Sequence, residues 1–379
     1  MDIASRHAEA KRPRQTWLVF FERMSEPMVR ELHSDCPSCG SAMHFAAAVR
    51  ALKCRHCGHQ LAVDSEPGED IRRFDFEAAL SKPDRLRSFD EIFPAGHEVE
   101  CERCGGRSVL HRQSGHCPYC GSPILHEVEA PDVLSPDSIL PFKLTQDQAM
   151  EALESWLQPC RLSETELATA LADATIEGVY LPYWAFTWRS TSFYRGRSGD
   201  PSPWSEKRID WNQTGGAVRL EFQDVVVGAS GQADWYPIDW GRWGREALRP
   251  YDPAFLQGFA AQRYNRDLKT SFRQAVRSRD TDIQSAVRAD IFGEFAEVET
   301  VETVSEEIQF RHCLLPAWIV NYSVGGYTYR AVIDGDFGEV HGERPALPEG
   351  RRSTRPPFDG VVIPLTLVAF LLYLSISGC

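Results

Sequence analysis

Residues 36–58 read CPSCGSAMHFAAAVRALKCRHCG, and residues 101–121 read CERCGGRSVLHRQSGHCPYCG. Each stretch contains two Cys-x-x-Cys-Gly turns, which are separated by 14 residues in the first stretch and by 12 in the second. Such a turn presents two thiolates to one ion, and its glycine supplies the unusual backbone angles that the turn needs. Two turns at the ends of a short hairpin complete a tetrahedral site. The sequence therefore predicts two zinc ribbons, over 35–63 and 100–128.

The ligands of the two predicted sites are eight cysteines: Cys36, Cys39, Cys54, Cys57, Cys101, Cys104, Cys117 and Cys120. Four thiolates suit zinc, with Zn–S distances of about 2.3 Å, so we expect two zinc ions. Four thiolates also suit a rubredoxin-type iron centre, which is the chemical alternative. Because four protein ligands leave no coordination position for water or substrate, we expect both sites to be structural.

Cysteine usage predicts a reducing compartment. Three of the eleven cysteines, Cys160, Cys313 and Cys379, lie outside the Cys-x-x-Cys pairs. Paired thiols of this kind serve metal sites in the cytosol, whereas a secreted disulfide framework seldom shows them. The N-terminal segment, 1–34, begins with polar and basic residues, and its apolar run at 17–21 is too short for the core of a signal peptide. We therefore expect the bulk of the chain in the cytoplasm.

The charge of the chain, −13, is unevenly distributed. Residues 36–63 carry +3, from Arg50, Lys53 and Arg55, and residues 101–121 carry +2, which leaves −18 on the remainder. An acidic body is a poor general binder of nucleic acid, but small basic ribbons can still contact phosphate or an acidic partner. Protein partners are the leading expectation, and nucleic acid is the alternative.

The C-terminal stretch predicts a membrane anchor. Residues 361–377 read VVIPLTLVAFLLYLSIS, which is 17 residues without a charge. As a helix this stretch would span roughly 26 Å, at the short end of what a bilayer core requires. Three arginines lie in the Pro-rich linker 346–360, and a basic flank tends to stay on the cytoplasmic side. We predict a single-pass transmembrane helix over 361–379 in the inner (cytoplasmic) membrane.

Between the ribbons and the tail we expect an α+β body over 142–345. An acidic spacer, 64–99, separates the ribbons, and a proline-punctuated linker, 129–141, precedes the body. Thr145 with Gln148 and Ser163 with Glu166 have the capping-box spacing, which predicts two helix starts. Apolar residues at helical spacing predict one long helix over 265–291, and aromatic-rich alternation predicts strands over 183–194 and 319–333. Asp334–Gly338 reads as a hairpin turn.

The body also contains a candidate internal duplication. Residues 181–184 read LPYW and residues 315–318 read LPAW, at positions 134 residues apart. The same register places Trp188 over Tyr322 and Phe193 over Tyr327. If the match is a duplication, the two segments should occupy equivalent strand positions. The fold class predicted is α+β and multidomain, with this possible duplication in an aromatic-rich body.

No sequence feature predicts catalysis. The chain has no Gly-Lys dipeptide, so the phosphate-binding loop is missing, and the nucleophile-elbow and His-Glu-x-x-His patterns are missing as well. The tryptophans and tyrosines between 184 and 243 are expected to pack in the core and at its rim. We therefore predict that the protein is not an enzyme.

The ribbons, together with residues 178–184 (GVYLPYW), 249–259 (RPYDPAFLQGF) and 314–318 (LLPAW), resemble those of bacterial zinc-ribbon membrane proteins of the transcription-factor-B ribbon type. Members are often labelled primosomal or helicase-like, and some are associated with membrane-stress systems. The missing phosphate loop gives the helicase label no support in this chain. The resemblance implies a membrane-anchored adaptor, with a nucleic-acid-binding ribbon protein as the alternative.

Overall fold

The computed structural model describes residues 35–63, 71–81, 86–94, 96–110, 116–123, 126–129, 132–231, 233 and 247–345. The predicted N-terminal segment, the basic linker and the transmembrane helix over 361–379 lie outside the described residues. Among the described residues, no helix combines the length and the apolar character that crossing a bilayer requires. The described residues form a mixed α/β structure, mostly of strands, within one compact unit.

The structure has seventeen strands and six helices in its described part. The strands are β1 (Met43–Ala46), β2 (Ala51–Cys54), β3 (Gln60–Ala62), β4 (Phe74–Asp75), β5 (Leu86–Arg87), β6 (His97–Glu100), β7 (Arg107–Leu110), β8 (His126–Glu127), β9 (Val133–Leu134), β10 (Ser138–Ile139), β11 (Thr175–Ser202), β12 (Ser205–Gly228), β13 (Arg249–Pro250), β14 (Ala260–Ala261), β15 (Phe295–Val324), β16 (Tyr327–Asp334) and β17 (Val340–Gly342). The helices are α1 (Phe76–Ser81), α2 (Phe89–Ile92), α3 (Gln146–Leu157), α4 (Glu164–Ala172), α5 (Leu268–Arg277) and α6 (Asp280–Asp290).

Three very long strands organise the main sheet. β11 lies between β12 and β15 and pairs antiparallel with both. Its first half is buried on both faces from Gly178 to Phe186, whereas buried and exposed side chains alternate from Trp188 to Arg195. The first half is continuously apolar, whereas the buried positions of the second half are Trp188, Ser190, Ser192 and Tyr194, which lie on one face of the strand. The far half of the sheet therefore has one covered face and one open face.

The covered face packs against α5 and α6. Buried side chains from both helices, Phe272 and Ile283 among them, join Trp188 and Phe222 in one apolar cluster. One long helix was predicted over 265–291, and that prediction is wrong. The chain bends at Ser278 and Arg279, where the N–H of Ser278 bonds to the carbonyl of Gln274 and α5 ends. Two short helices follow the curvature of a twisted sheet, which one straight helix cannot do.

The two Leu-Pro-x-Trp segments occupy equivalent strand positions. Leu181 of β11 lies directly opposite Leu315 of β15. When equivalent residues of two antiparallel strands face each other, a local two-fold axis passes between them. The strand order β12-β11-β15-β16 is symmetric about this axis. β11 pairs with β12, the strand that follows it in the chain, and β15 pairs in the same way with β16.

Hydrogen bonds recur on both sides of this axis. The N–H of Ala229 donates to the carbonyl of Pro182 at 2.9 Å, and the equivalent bond in the other half joins Gly335 to Pro316 at 3.0 Å. Likewise, the N–H of Gln262 donates to the carbonyl of Tyr180 at 2.8 Å, and that of Leu140 donates to Leu314 at 2.9 Å. Each half also supplies a short parallel strand to the long strand of the other half. β10 pairs with Cys313 and Leu314 of β15, and β14 pairs with Val179 and Tyr180 of β11. The two halves are therefore interlocked.

Local sequence signals explain the ends of several elements. The two predicted capping boxes are confirmed, at Thr145 before α3 and at Ser163 before α4. The predicted hairpin turn is confirmed as well, since residues 335–339 connect β16 to its antiparallel partner β17. The Asp334 carboxylate accepts backbone N–H groups from Asp336 and Phe337, at 2.7 and 2.9 Å. Burial nevertheless raises the pKa of Asp334 above its usual value.

Candidate metal centres

The four Cys-x-x-Cys-Gly turns share one backbone geometry. In each, the glycine has a positive φ, between 67° and 75°, at Gly40, Gly58, Gly105 and Gly121. Its N–H donates to the carbonyl of the first cysteine, with N···O distances of 2.7 to 3.0 Å. The N–H of that first cysteine is satisfied by the carbonyl five residues later, for example Cys36 by Ser41 at 2.7 Å. An L side chain with a Cβ is strained at such φ values, which explains the glycine.

These turns bring the eight predicted ligands together in two clusters of four sulfurs. In the first cluster, the Sγ atoms of Cys36 and Cys57 are 3.5 Å apart, as are those of Cys39 and Cys54. In the second, the corresponding pairs, Cys101 with Cys120 and Cys104 with Cys117, are both 3.6 Å apart. Within each cluster all four sulfurs lie within 4.8 Å of one another.

Both clusters fit a tetrahedral metal ion. Zn–S bonds of about 2.3 Å in tetrahedral geometry require sulfurs roughly 3.8 Å apart. A disulfide would require about 2.05 Å, and all eight cysteines are free. Each cluster of four cysteines could hold one metal ion, which supports the prediction of two ions. The donor set consists of thiolates alone, which suits zinc and also iron.

Each turn buries its first cysteine and leaves the second more exposed. Cys36, Cys54, Cys101 and Cys117 are buried, whereas Cys39 and Cys57 are exposed. Hydrogen bonds from the Ser41 hydroxyl and backbone lower the pKa of Cys39 to about 5. Burial opposes ionisation of Cys101, but backbone N–H groups of Cys104 and Arg103 outweigh it and lower its pKa to about 7. Hydrogen bonds therefore favour the thiolate form of Cys39 and Cys101, the form that binds metal, whereas burial raises the pKa of Cys104 and of Cys117.

The first ribbon is hydrogen-bonded to the body at residues 255–258. Its N-terminal hairpin, β1 and β2, carries Phe45, whose N–H donates to the carbonyl of Gln257 at 2.8 Å. The Phe45 ring packs edge-to-face on Phe255, with centroids 5.0 Å apart. His44 lies close to Gly258, where an added Cβ would come within 3.1 Å of the His44 Cβ. The segment of residues 255–258 therefore fixes the orientation of the first ribbon.

The second ribbon is part of the main sheet. β6 and β7 of this ribbon pair with each other, and β7 pairs with β14 through Val109 and Ala261. Arg263 then forms an ion pair with the buried Glu98 carboxylate of β6 at 3.0 Å. The same short strand, β14, pairs with β11 on its other side. The second ribbon is therefore continuous with the long strands.

Sequence reasoning did not identify residues 253–263 as the attachment site of both ribbons. The segment RPYDPAFLQGF, 249–259, did stand out as part of the resemblance, but its partner could not be predicted. Its physical signals are weak, because Asp252 and Pro253 only start a 3-10 turn, with the Asp252 carboxylate accepting the Ala254 N–H. The contact to β1 is between segments about 200 residues apart in the chain, which no local pattern encodes.

The basic side chains that motivated the nucleic-acid alternative differ between the ribbons. Arg50 and Arg55 are exposed on the first ribbon, and Arg50 sits in the turn between β1 and β2 with a φ of 51°. In the second ribbon, Arg107 is paired with Glu100 at 2.8 Å. The first ribbon thus carries the stronger basic surface of the two among the described residues.

No protein-family model matches the chain, and no solved structure matches it significantly. The chain is similar to a protein of Bacillus subtilis (strain 168) described as uncharacterized protein YdjG, with 23% identity over 353 residues. This similarity covers 90% of the chain and 98% of the relative, so it extends over most of both proteins. The description of the relative assigns it no activity.

Proposed function

We propose that the protein is a membrane-anchored zinc-ribbon scaffold that recruits protein partners at the cytoplasmic face of the inner membrane. The observation that carries this proposal is the closed four-cysteine geometry of both clusters. Four thiolates around one ion leave no position for substrate, so the metals stabilise surfaces and do not react. The attachment of both ribbons to the sheet keeps those surfaces rigid, which favours recognition over chemistry. We accordingly propose a non-enzymatic role for the protein.

The anchor in this proposal is the apolar stretch 361–377, with the arginines of the preceding linker on the cytoplasmic side. From the family resemblance we also propose that this scaffold acts in a membrane-stress response. We also infer that the body arose by internal duplication. This inference is supported by the opposition of Leu181 and Leu315 and by the hydrogen bonds that recur around them.

The anchor is tested with the full chain and one substitution in the apolar stretch. A charge in the middle of a spanning segment costs a few kcal/mol, whereas an apolar replacement costs little. Phe370→Arg should therefore move the protein from the membrane pellet to the soluble fraction, and the matched control Phe370→Leu should stay in the pellet. Equal distribution of the wild type and Phe370→Arg after an alkaline wash would refute the anchor.

Recruitment is tested in the same strains. A genuine partner should co-purify with the wild type and lose its own membrane association when the chain carries Phe370→Arg. It should remain membrane-associated with Phe370→Leu. If every co-purifying protein keeps its membrane association in the Phe370→Arg strain, the chain does not recruit it and the scaffold proposal fails.

The second candidate is a nucleic-acid-binding ribbon protein, and the exposed Arg50 and Arg55 favour it. Binding through phosphate contacts should weaken steeply as salt rises, because counterions are released. Titration of the full chain with single-stranded and double-stranded DNA and with RNA, at low and moderate salt, checks this directly. Arg50→Ala with Arg55→Ala should reduce the salt slope by about two if these residues contact phosphate.

A further inference from the structure

Four aromatic side chains are exposed at one end of the long sheet. The exposed fractions are 92% for Trp204, 88% for Phe292, and 40% each for Trp211 and Phe295. Trp204 lies in the turn between β11 and β12, and Phe292 lies between α6 and β15. We call these four residues the aromatic tip. Large apolar groups left in water at this density on two adjacent connections indicate a binding surface.

The tip is held by the sheet and is not a pair of independent loops. Gly199 of β11 lies opposite Trp211 on one side and opposite Phe295 on the other. An added Cβ at Gly199 would come within 2.9 Å of the Trp211 ring, so this ring lies over the glycine. The N–H of Glu294 donates to the Asp200 carboxylate at 3.0 Å and ties the second connection to β11. The Trp211 ring and the second connection are therefore both held against β11.

The charge around the tip does not favour a polyanion. The two connections, 201–205 and 291–293, contain no charged residue. The wider segments 195–211 and 288–299 carry +1 and −3, so the surroundings are weakly acidic. The guanidinium of Arg197 is stacked at 5.3 Å on the Trp211 ring and paired with Glu297, so it is already engaged. Nucleic acid and anionic lipid headgroups are therefore poor matches for this surface.

The exposed area of the tip distinguishes the two remaining candidate partners, a protein and a lipid bilayer. A large aromatic residue buries about 150–250 Å², so the four rings at their observed exposure offer roughly 500 Å². A stable protein interface needs about 800 Å² from each partner, which is more than the four rings provide by themselves. A bilayer interface needs only a few amphipathic or apolar rings inserted about 5–10 Å deep, and tryptophan prefers that depth.

We propose that the aromatic tip inserts Trp204 and Phe292 into the headgroup region of a zwitterionic lipid bilayer. The contact is a second, weaker attachment that orients the sheet on the membrane. Because the surroundings of the tip are weakly acidic, anionic lipid does not strengthen it. The inference concerns the described residues alone and does not depend on what residues 361–379 do.

The test uses the full chain with a photo-cross-linking residue at single positions. We expect Trp204→p-benzoylphenylalanine and Phe292→p-benzoylphenylalanine to form lipid adducts on irradiation with phosphatidylcholine vesicles, detected by intact mass. The matched control is the same substitution at Phe337, an exposed aromatic residue in the turn after β16. Moving one aromatic ring from water into the bilayer interface raises its partition coefficient at least about tenfold. The adduct yields at 204 and 292 should therefore exceed the yield at 337 by about that factor.

Equal adduct yields at the three positions would overturn the proposal. So would adducts at 204 to a second copy of the chain in place of lipid, because the tip would then mediate self-association. Replacing phosphatidylcholine with phosphatidylglycerol should not raise the yield, and a marked rise would also contradict it. Repeating the measurement with Phe370→Arg present separates this result from the anchor, since the tip should still form lipid adducts when the apolar stretch carries a charge.

Discussion

Trp184 and Trp318 make the same contact in the two halves of the sheet. The indole N–H of Trp184 donates to the carbonyl of Arg266 at 3.4 Å, and that of Trp318 donates to the carbonyl of Leu144 at 3.3 Å. Each carbonyl belongs to the residue just before a helix N-cap, Asp267 or Thr145. Trp184 packs on Tyr264 with ring centroids 5.2 Å apart, and Trp318 packs on Phe142 with centroids 5.0 Å apart. The interplanar angle is 58° in both pairs.

This equivalence predicts matched energetic costs. Trp184→Phe and Trp318→Phe each remove one hydrogen bond and leave a cavity, so each should lower the free energy of unfolding by about 1–3 kcal/mol. The two losses should agree within about 1 kcal/mol. Denaturant unfolding followed by circular dichroism measures both, with the exposed Trp204→Phe as a control that changes stability by less than about 0.5 kcal/mol. A large loss for one tryptophan and none for the other would contradict the equivalence.

Gly178 is a position in β11 where the two halves leave little room for a side chain. An added Cβ would come within 2.5 Å of the Phe259 ring and 3.1 Å of the Trp318 ring. Phe259 is itself stacked on Phe142 at 4.1 Å, so it cannot move freely. Gly178→Ala should therefore destabilise the protein by about 1–3 kcal/mol through overpacking.

The matched control for this substitution is Gly231→Ala. Nothing lies within 4 Å of a Cβ built at Gly231, so the change should be close to neutral or slightly stabilising. Thermal unfolding of both variants checks the difference. Equal melting temperatures for the two would show that Phe259 can move aside and would contradict the packing argument.

The two metal centres should fail in different ways. Cys39→Ser and Cys101→Ser should each reduce bound metal from two ions to one, because a three-cysteine site binds far more weakly. Loss of the first site should release residues 43–62 and the contact of Phe45 with Phe255. Loss of the second should also disturb β14, which pairs with both β7 and β11. Metal analysis and hydrogen exchange on the same samples measure both effects.

The identity of the metal is checked by the same preparations. Zinc gives a colourless protein with two ions per chain, whereas iron in four thiolates gives strong visible absorption.

If residues 107–110 and 260–261 keep their protection from hydrogen exchange in Cys101→Ser, the coupling of the second ribbon to the sheet is contradicted. The control is Cys160→Ser, a buried cysteine outside both clusters, which should keep two ions.

The sequence predicted the features that depend on local chemistry. The turns around the eight ligands, the capping boxes at Thr145 and Ser163, and the hairpin turn at Asp334 all follow from residue types at short spacing. The equivalence of Leu181 and Leu315 was also visible, because Leu-Pro-x-Trp occurs twice in the sequence. These features need no knowledge of distant contacts.

The features that the sequence missed depend on contacts between distant segments. Apolar spacing over 265–291 continued through Ser278 without a break, although the chain bends there to follow the sheet. Trp204 and Trp211 were expected to pack with the other aromatic residues, yet both are exposed, because β11 and β12 continue well beyond the core. Strand length beyond the core is set by pairing between β11, β12 and β15, which a single segment cannot reveal.

Tyr194 connects the central long strand to α6. Its hydroxyl donates to the Asp290 carboxylate at 2.6 Å. This hydrogen bond, together with burial, raises the pKa of Tyr194 to about 12, above the value of about 10 expected in the unfolded chain. The folded state therefore holds the proton more tightly than the unfolded state. Stability from this group is fully present below about pH 10 and is lost as the pH rises towards 12.

Tyr194→Phe removes the hydroxyl and leaves Asp290 without this donor. The variant should lose about 1–3 kcal/mol near neutral pH, the range for a hydrogen bond to a charged group. It should also lose less stability than the wild type between about pH 10 and 12, because the group that titrates there is gone. Urea unfolding at a series of alkaline pH values compares the two curves. Parallel curves would show that the Asp290 contact does not hold the Tyr194 proton, and the link between β11 and α6 would then rest on apolar packing alone.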